Sequence, residues 1–439
     1  MKVLKFGGTS IGKPERMKEV AKLIEKENPV MVVLSALAGT SNMLVTMNEL
    51  LMAGKQLEAH QISLQLKEHY QAFAASLYST HQGLAEGAKV IEEHFKVISS
   101  VINTHFSPIK EKVMLAQGEL LSAKIFFAYL QEMGKDAALL PALEFMKTDA
   151  YGEPGEALIA VGLKDQMNKV GEKAICVTQG YICRNDKGEI DNLKRGGSDY
   201  SASLIGAALQ SEEIQIWTDI DGMHNNDPRI VKRTVPVPEL SFDEAAELAY
   251  FGAKILHPSS VLPARKHGIP VRLLNTMNPD AIGNLITNKA SEPGVKALAA
   301  KDGITVVRIQ SGRMLLAYGF LKTVFEVFET HKTPVDVITT SEVAVSVSID
   351  DTTHLKAIVK DLEQVGSVEV DHDQTIVCIV GNINPVGQEV MRKTFQALEN
   401  ITVRMVSFGG SRHNVSLLVS SADKQKALEL LNEQLFSWN

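Results

Sequence analysis

The fold of this chain is decided by the stretch VLKFGGTS, residues 3–10. An apolar run with Lys5 near its end predicts a β-strand, and the pair Gly7-Gly8 predicts a turn directly after it. A helix should follow because Pro14 suits a first helical turn, and its apolar stripe would consist of Met17, Val20, Ala21 and Ile24. Backbone amides, a helix N-terminus and an ammonium group favour a polyphosphate ligand. An ordinary strand-to-helix turn would show the same pattern.

Length and composition point to a soluble protein of two or three domains. The chain has 439 residues, of which 45% are hydrophobic and 22% charged, as in ordinary globular proteins. Its net charge of −7 argues against a nucleic-acid partner. No apolar run reaches the roughly 20 residues that span a membrane. We see no signal peptide, and Cys176, Cys183 and Cys378 lack metal-ligand spacing, which suits a cytoplasmic protein with free thiols.

Residues 1–285 alternate between strand and helix patterns. The run PVMVVLS at 29–35 is apolar throughout, as in a parallel strand buried on both faces. It leads into the small, polar loop SALAGTSN at 35–42, and further strands are expected at 137–140, 174–182, 213–217 and 271–274. Because open α/β sheets bind ligands beyond the carboxyl ends of their strands, the loops after these strands should gather at one edge.

Two other stretches in this part carry candidate binding groups. A second glycine pair lies between Arg195 and Asp199 and precedes a small-residue helix at 201–209. Arginine binds carboxylate or phosphate bidentately, whereas Asp199 could simply cap the helix. Glu119 follows Gln117-Gly118, where we expect a helix to begin, and a first-turn glutamate often does no more than complement the helix dipole.

The regular alternation of strand and helix patterns ends near residue 285. Residues 288–294, NKASEPG, resemble a linker, and a weak internal repeat follows, with copies at about 304–370 and 375–435. Each copy shows the order strand, helix, strand, strand, helix. This order predicts two ferredoxin-like modules.

Six loops occur in a fixed order along the chain: KFGGTS, SALAGTSN, QGELLSA, KRGGSDYSA, WTDIDGMHNNDPR and FGAKILHP. With these six loops in this order, the chain resembles the aspartate kinases, which are members of the amino-acid kinase family. Aspartate kinases carry a C-terminal pair of ACT regulatory domains. The resemblance implies a three-layer α/β/α catalytic domain with a mainly parallel sheet at 1–287. It also implies a linker and first ACT domain at 288–372 and a second ACT domain at 373–439, both with βαββαβ topology.

The family reaction moves the γ-phosphoryl of ATP to the side-chain carboxylate of L-aspartate, with Mg²⁺, as the first step of lysine, threonine and methionine biosynthesis. By resemblance, the catalytic residues are Lys5 and Asp199, and the substrate-binding residues are Ser41, Glu119, Arg195, Gly196, Gly197 and Ser198. Glu119 would hold the substrate ammonium and Arg195 its α-carboxylate. The implied ATP-binding residues are Lys5, Gly7, Gly8, Thr218, Asp219, His224, Arg229 and Lys254. No side chain is predicted to form a dedicated metal site. Ser41 replaces a threonine usual in relatives, and His224 stands where some relatives have tyrosine.

The resemblance also implies regulation by an end-product amino acid at a subunit interface. Positions that line the lysine site of lysine-sensitive relatives correspond here to Met314, Ala317, Phe320, Leu321, Val335, Asp336 and Ser341. Asp336 could accept a ligand ammonium. Leu316 and Ala317 replace a polar pair, so threonine or no effector remains an alternative to lysine. Paired modules favour a homodimer or a tetramer.

Two other functions fit parts of the pattern. The first is another amino-acid kinase, such as a glutamate or acetylglutamate kinase, which the C-terminal repeat and the FGAKILHP stretch disfavour. The second is a catalytically inactive amino-acid sensor on the same scaffold. Retention of Lys5, Arg195, Asp199 and Lys254 favours an active enzyme.

Overall fold

The computed structural model describes residues 1–193, 196–252, 256–312 and 318–436. The chain forms two compact units. The first comprises Met1–Gly222 and Leu256–Asn288, and the second comprises Met223–Ile255 and Lys289–Asn439. Four predicted site residues lie outside the described residues: Arg195, Lys254, Met314 and Ala317.

The described strands, in chain order, are β1 (Lys2–Phe6), β2 (Val30–Leu34), β3 (Ala137–Leu139), β4 (Ile175–Gln179), β5 (Ile182–Arg184), β6 (Ile190–Asn192), β7 (Ile214–Thr218), β8 (Glu239–Ser241), β9 (Val271–Asn275), β10 (Asn284–Thr287), β11 (Gly294–Gln310), β12 (Ile338–Thr340), β13 (Ala344–Ile349), β14 (Ser367–Asn382), β15 (Val403–Phe408) and β16 (Asn414–Ser420).

The described helices are α1 (Gly8–Ile11), α2 (Pro14–Ile24), α3 (Thr40–Met52), α4 (Gln56–Leu77), α5 (His81–Ile102), α6 (Pro108–Glu132), α7 (Ala142–Phe145), α8 (Glu156–Val170), α9 (Gly197–Leu209), α10 (Phe242–Tyr250), α11 (Leu262–His267), α12 (Phe320–Thr330), α13 (Leu355–Leu362), α14 (Gly387–Ala397) and α15 (Lys424–Leu435). Short 3₁₀ turns lie at Pro258–Val261, Asn384–Val386 and Ser421–Asp423.

The first unit is built on a mainly parallel sheet with the strand order β3-β4-β2-β1-β7-β9-β10. Only β10 within this order runs antiparallel to its neighbour. Alternate residues of a strand face opposite sides of a sheet. Leu4 and Phe6 pack into one large core with helices α2 to α6, whereas Val3, also buried, faces the other side. Helix α9 packs against β1. The predicted α/β sheet is therefore confirmed.

Helix α6 runs through the large core of the first unit. It begins at Pro108 with the Ser107 hydroxyl accepting from the Lys110 amide, so Glu119 lies in its middle. Our expectation that a helix begins near Gln117 is wrong, because the apolar pattern continues upstream of that residue. By length and composition α6 could cross a membrane, but 72% of its apolar window is buried in the protein. That burial is typical of a core helix in a soluble protein.

The second unit contains a six-stranded antiparallel sheet with the order β12-β13-β11-β14-β16-β15. Its two long central strands, β11 and β14, pair from Gly294↔Asn382 to Gln310↔Ser367. One core lies under α12 and α13, and another under α14 and α15. Each half thus has the ferredoxin-like order of strands and helices, as predicted.

Two domain bounds differ from our expectation. The predicted boundary at 372–373 falls inside β14, which serves both halves of the sheet. Residues 294–301 lie before the first module in sequence, yet they pair with residues 376–382, in the second half. Residues 223–255 also group with the second unit. The predicted division at 287, 372 and 439 therefore remains a proposal about function rather than a description of packing.

Candidate active site

The loops after β1, β2, β4 and β7 lie at one edge of the first sheet. Phe6 of β1 pairs with Leu34 of β2 and with Trp217 of β7, and Leu34 in turn pairs with Gln179 of β4. All of these pairs are parallel and end in register. The residues that follow the four strands therefore share one rim, where open α/β sheets bind ligands.

The glycine turn after β1 packs its backbone directly on the loop after β2. The Gly7 amide donates to the Trp217 carbonyl at 3.2 Å, and the Ala38 amide donates to the Gly8 carbonyl at 3.2 Å. A Cβ on Gly8 would lie 2.6 Å from the Ala36 carbonyl oxygen. Only glycine fits this approach, which brings the N-terminal end of α1 to the rim.

Lys5 and Asp199 form an ion pair at this rim. The Lys5 Nζ lies 2.6 Å from Asp199 Oδ1, with the two side chains 12% and 17% exposed. Strand β1 places Lys5, and the first turn of α9 places Asp199. The N-cap of α9 is Gly196, at φ +66°, rather than Asp199. The alternative that Asp199 merely caps a helix is therefore wrong, because its carboxylate pairs with a lysine from another element.

The Lys5 ammonium also lies against the glycine turn. Its Nζ is 3.6 Å from the position that a Cβ on Gly7 would occupy. An ammonium beside the N-terminal end of a helix is a suitable environment for phosphate oxygens. The carboxylate of Asp199 fixes the direction of the lysine and leaves its other protons for a ligand.

Glu119 is buried in the middle of α6, at 5% exposure. Burial raises its pKa to about 7, although backbone hydrogen bonds, including one from Ala36, oppose the shift. Its neighbour Gly118 explains the approach, since a Cβ there would lie 2.8 Å from the Ala36 Cβ. Helix α6 thus packs tightly on the loop after β2 and brings a carboxyl group to the rim. A buried carboxyl of this kind would bind an ammonium group strongly.

Tyr181, which sequence reasoning missed, follows β4 at the same rim. It has a left-handed backbone, with φ +66°, which is uncommon for a residue with a side chain. Its amide donates to Ser201 Oγ at 2.8 Å, and its hydroxyl accepts from Asn192 Nδ2 at 2.8 Å. Burial raises its pKa, and the charge of Glu119 adds to this. The dipeptide Gly180-Tyr181 directly after a buried strand was the available signal.

Other predicted substrate and nucleotide residues also lie at the rim of the first unit. Ser41 is an exposed residue in the first turn of α3, and Ser198 is buried in the first turn of α9. Thr218 ends β7, and its hydroxyl donates to Asp219 at 3.3 Å. Gly197 takes φ +50° at the start of α9.

The two predicted nucleotide residues His224 and Arg229 belong to the second unit. The Nδ1 of His224 lies 3.1 Å from the Thr234 hydroxyl. The Arg229 guanidinium donates to both carboxylate oxygens of Asp227, at 2.9 and 2.7 Å. A nucleotide phosphate would compete with Asp227 for this arginine. Their nucleotide roles remain predictions.

The predicted regulatory residues lie in the second unit. Phe320 and Leu321 begin α12, Val335 and Asp336 precede β12, and Ser341 lies in the turn before β13. The side chain of Asp336 is only 2% exposed and pairs with Lys301 at 2.7 Å. The carboxylate predicted to accept a ligand ammonium is thus already bound by the protein's own groups.

Comparison with known proteins agrees with this arrangement. The amino acid kinase family matches residues 1–275, and the ACT domain matches residues 377–435. Lysine-sensitive aspartokinase 3 of Escherichia coli is 33% identical, with 99% of each chain covered. Two solved structures of E. coli aspartokinase III cover 100% of both chains at 33% identity. One is the R-state complex with aspartate and ADP, with a TM-score of 0.82, and the other is the T-state complex with lysine and aspartate, with a TM-score of 0.79. The chain therefore belongs to the aspartokinases, the aspartate kinases of the amino acid kinase family.

Proposed function

We propose that the groups at the rim of the first unit carry out the aspartate kinase reaction of this chain. In this reaction the γ-phosphoryl of ATP moves to the side-chain carboxylate of L-aspartate, giving 4-phospho-L-aspartate and ADP. The observation that carries the assignment is the Lys5–Asp199 pair at 2.6 Å, next to a glycine turn and on the rim that Glu119 also reaches.

The proposed chemistry needs charge neutralisation rather than a general base. A side-chain carboxylate with a pKa near 4 is already ionised at neutral pH. Two like charges about 4 Å apart repel by roughly 4 kcal/mol at an effective dielectric constant of 20. Lys5 would offset this repulsion at the transferring phosphoryl group, and the amide of Gly8 would bind phosphate oxygens. The amide of Gly7, also predicted for this role, already donates to the Trp217 carbonyl. Asp199 would keep the Lys5 ammonium aimed at them.

Selection of an amino acid would rest on two charged groups. Glu119 would hold the α-ammonium of aspartate, since an ammonium stabilises the ionised form that burial disfavours. Arg195 would hold the α-carboxylate, as the family resemblance implies. A plain dicarboxylate lacks the ammonium and would leave Glu119 buried without a cationic partner.

We also propose that ATP enters with Mg²⁺. The described residues contain no group of three side chains suited to hold a metal ion. Mg²⁺ is commonly held by substrate phosphates with one or two carboxylates, and Asp199 and Asp219 are acidic side chains at this rim. The ion would neutralise phosphate charge when it is bound.

Three further proposals concern the effector, the assembly and the location of the protein. L-Lysine is the effector we favour, because a relative of 33% identity is named lysine-sensitive and has been solved with lysine. A homodimer, or a dimer of such dimers, would form through the modules of the second unit. A cytoplasmic location fits the cysteines Cys176, Cys183 and Cys378, which are all free and buried.

A coupled assay of ADP release over a panel of acceptors tests the proposed function. We expect turnover with L-aspartate, and at least a hundredfold lower kcat/KM with L-glutamate, N-acetyl-L-glutamate and succinate. In Arg195→Ala the KM for aspartate should rise far more than the KM for ATP, whereas Lys187→Ala, at an exposed hairpin position, should change neither. Equal rises in both KM values would contradict the role of Arg195, and preference for another acceptor would contradict the proposed function.

A further inference from the structure

Four side chains in the second unit form what we call the Asp336 cluster: Tyr250, Lys301, Asp336 and Asp350. Asp336 Oδ1 accepts from the Lys301 ammonium at 2.7 Å and from the Tyr250 hydroxyl at 2.6 Å. The same ammonium lies 2.9 Å from Asp350 and 4.7 Å above the centre of the Tyr250 ring. The chain's own ammonium and phenol thus hold the carboxylate that an effector would need.

The other oxygen of this carboxylate is left without a partner. Asp336 Oδ2 is buried, and no group in the described part of the chain hydrogen-bonds to it. A buried acceptor without a donor is costly, and an incoming ammonium would satisfy it. A second ammonium at this carboxylate would, however, stand beside that of Lys301, and like charges at such short range repel. A ligand ammonium and the internal groups therefore compete for one carboxylate.

Tyr250 connects this carboxylate to helix α10. It is the last residue of α10 and lies four residues before Lys254, the predicted nucleotide lysine. One turn earlier on the same helix, Glu247 accepts from Ser411 at 2.8 Å and from Asn414 at 2.5 Å. Residues three apart share a helix face. This face of α10 is thus held by Glu247 at one point and by the Asp336 cluster at the other.

We propose that Tyr250 and Lys301 act as internal competitors for Asp336, so that an amino-acid effector with a side-chain ammonium binds by displacing them and thereby releases the C-terminal end of α10. This inference rests on the proposed effector site and names its mechanism of coupling. In the free enzyme, the Lys301 ammonium pairs with the carboxylate that the effector ammonium would bind. Tyr250 is a positioning residue, because it acts through the C-terminal end of α10 rather than by touching substrate.

The variant Tyr250→Phe tests the competition, because it removes only the hydroxyl and keeps the ring beneath Lys301. Without that competitor, we expect L-lysine to bind roughly tenfold more tightly or better in isothermal titration calorimetry on the full-length enzyme, as for loss of one hydrogen bond to a charged group. Saturating lysine should inhibit the variant less than the wild type, because the contact it breaks is already absent. Tyr151→Phe, at a tyrosine 81% exposed in the first unit, is the matched control and should match the wild type in both measurements.

A second variant, Lys301→Met, removes the internal ammonium and keeps the length of the side chain. It should bind L-lysine about tenfold more tightly or better, since a charged partner is removed. Lys322→Met, at a surface lysine that pairs along its own helix with Glu326 at 3.2 Å, is the control. Unchanged or weaker lysine binding in both cluster variants would overturn the competition. Tighter binding with undiminished inhibition would overturn the part assigned to Tyr250.

The same measurements separate this inference from the proposed function. Calorimetry of lysine binding requires no turnover. A wild type that releases ADP with aspartate but binds no L-lysine overturns the inference and leaves the kinase roles intact. A wild type that binds lysine, with the expected response in both variants, supports the inference even if the residue roles proposed for catalysis fail in the ADP-release assay.

Discussion

At the scale of single residues, the ion pair between Lys5 and Asp199 is the contact to which we assign phosphoryl transfer. We predict that Lys5→Ala lowers kcat by about 10³-fold, in the range seen when a preorganised charge-stabilising donor is removed. The fold should survive, because the lysine head lies at the rim and β1 is anchored by Leu4 and Phe6 in the core. Steady-state ADP release and circular dichroism provide the two measurements.

Lys2→Ala is the matched control for this substitution. Lys2 lies on the same strand and pairs with Glu27 at 2.8 Å, in a pair about 30% exposed on both sides. Such pairs contribute little to stability, and this one is at the other end of the strand. Activity in Lys2→Ala should therefore stay near that of the wild type. Near-normal turnover in Lys5→Ala would remove Lys5 from the catalytic groups.

Glu119 predicts a pH dependence of aspartate binding. Burial raises its pKa to about 7. The ionised form of Glu119, which would bind the substrate ammonium, therefore predominates above pH 7, and the neutral form predominates below it. The kcat/KM for aspartate should therefore fall up to about tenfold for each pH unit below 7, while the KM for ATP changes little. In Glu119→Gln this inflection should disappear and the KM for aspartate should be high at every pH. A wild-type profile that is flat from pH 5.5 to 8 would contradict the prediction.

The same carboxyl group should weaken the folded state at high pH. Its folded-state pKa of about 7 lies above the ordinary value of 4.5, so ionisation is penalised only in the folded protein. That cost is absent below about pH 4.5 and complete above pH 7, where it reaches about 3 kcal/mol. Glu119→Gln should therefore unfold at higher denaturant concentration than the wild type at pH 8, and the difference should vanish near pH 4.5. Glu119→Gln would thus gain stability and lose aspartate binding, which is the stability–activity trade-off expected at a functional site.

At the scale of elements, the rim depends on two loops that meet backbone to backbone. In Gly8→Ala the new methyl group would lie 2.6 Å from the Ala36 carbonyl, and rigid backbone on both sides cannot yield easily. We predict a loss of about 1–3 kcal/mol in unfolding free energy and a larger KM for ATP, because the turn amides move. Gly410→Ala, where a Cβ would meet nothing within 4 Å, should change neither quantity in denaturant titration and kinetics. Equal behaviour of the two variants would show that the close approach is not needed.

Elements were predicted well where local signals are strong. Pro14 and its apolar stripe predicted α2, as the structure shows. Glu119 was misplaced because its helix is long and begins at Pro108, eleven residues upstream, so the local triplet Gln117-Gly118-Glu119 resembled a helix start. The pairing of Arg229 with Asp227 could not be predicted, since spacing in a loop does not reveal which charges satisfy each other.

At the scale of the whole molecule, sequence order misrepresents how the regulatory half is built. The internal repeat predicted two consecutive modules, but residues 294–301 supply the fourth strand of the later one. A single-sequence pattern detects strands and helices and not their partners, because pairing over long sequence separation leaves no local trace. The loops at the catalytic rim were easier to place, because parallel strands must end on the same side.

This sheet order also predicts how two copies assemble. β12 is a terminal strand of the six-stranded sheet, and Ile338 on it is 42% exposed. Strand β12 also lies close to β15 of its own chain, so the exposed side chain of Ile338, rather than a free backbone edge, is the apolar surface offered to a second copy. A closed twofold dimer would cover it in both copies. We predict that Ile338→Lys converts the proposed dimer to a monomer in sedimentation velocity, because a charge would have to be buried in the interface.

A monomeric variant also tests whether catalysis belongs to the first unit and regulation by an effector to the second. Because the proposed catalytic pair, Lys5 and Asp199, lies in the first unit, Ile338→Lys should keep the wild-type kcat without effector, yet lose inhibition by L-lysine if the effector binds between subunits. Phe395→Lys, at a helical position of similar exposure, 47%, should keep both the dimer and the inhibition. A monomeric variant that lysine still inhibits would place the effector site within one chain. A variant that stays dimeric would show that the dimer interface lies on a different surface of the chain.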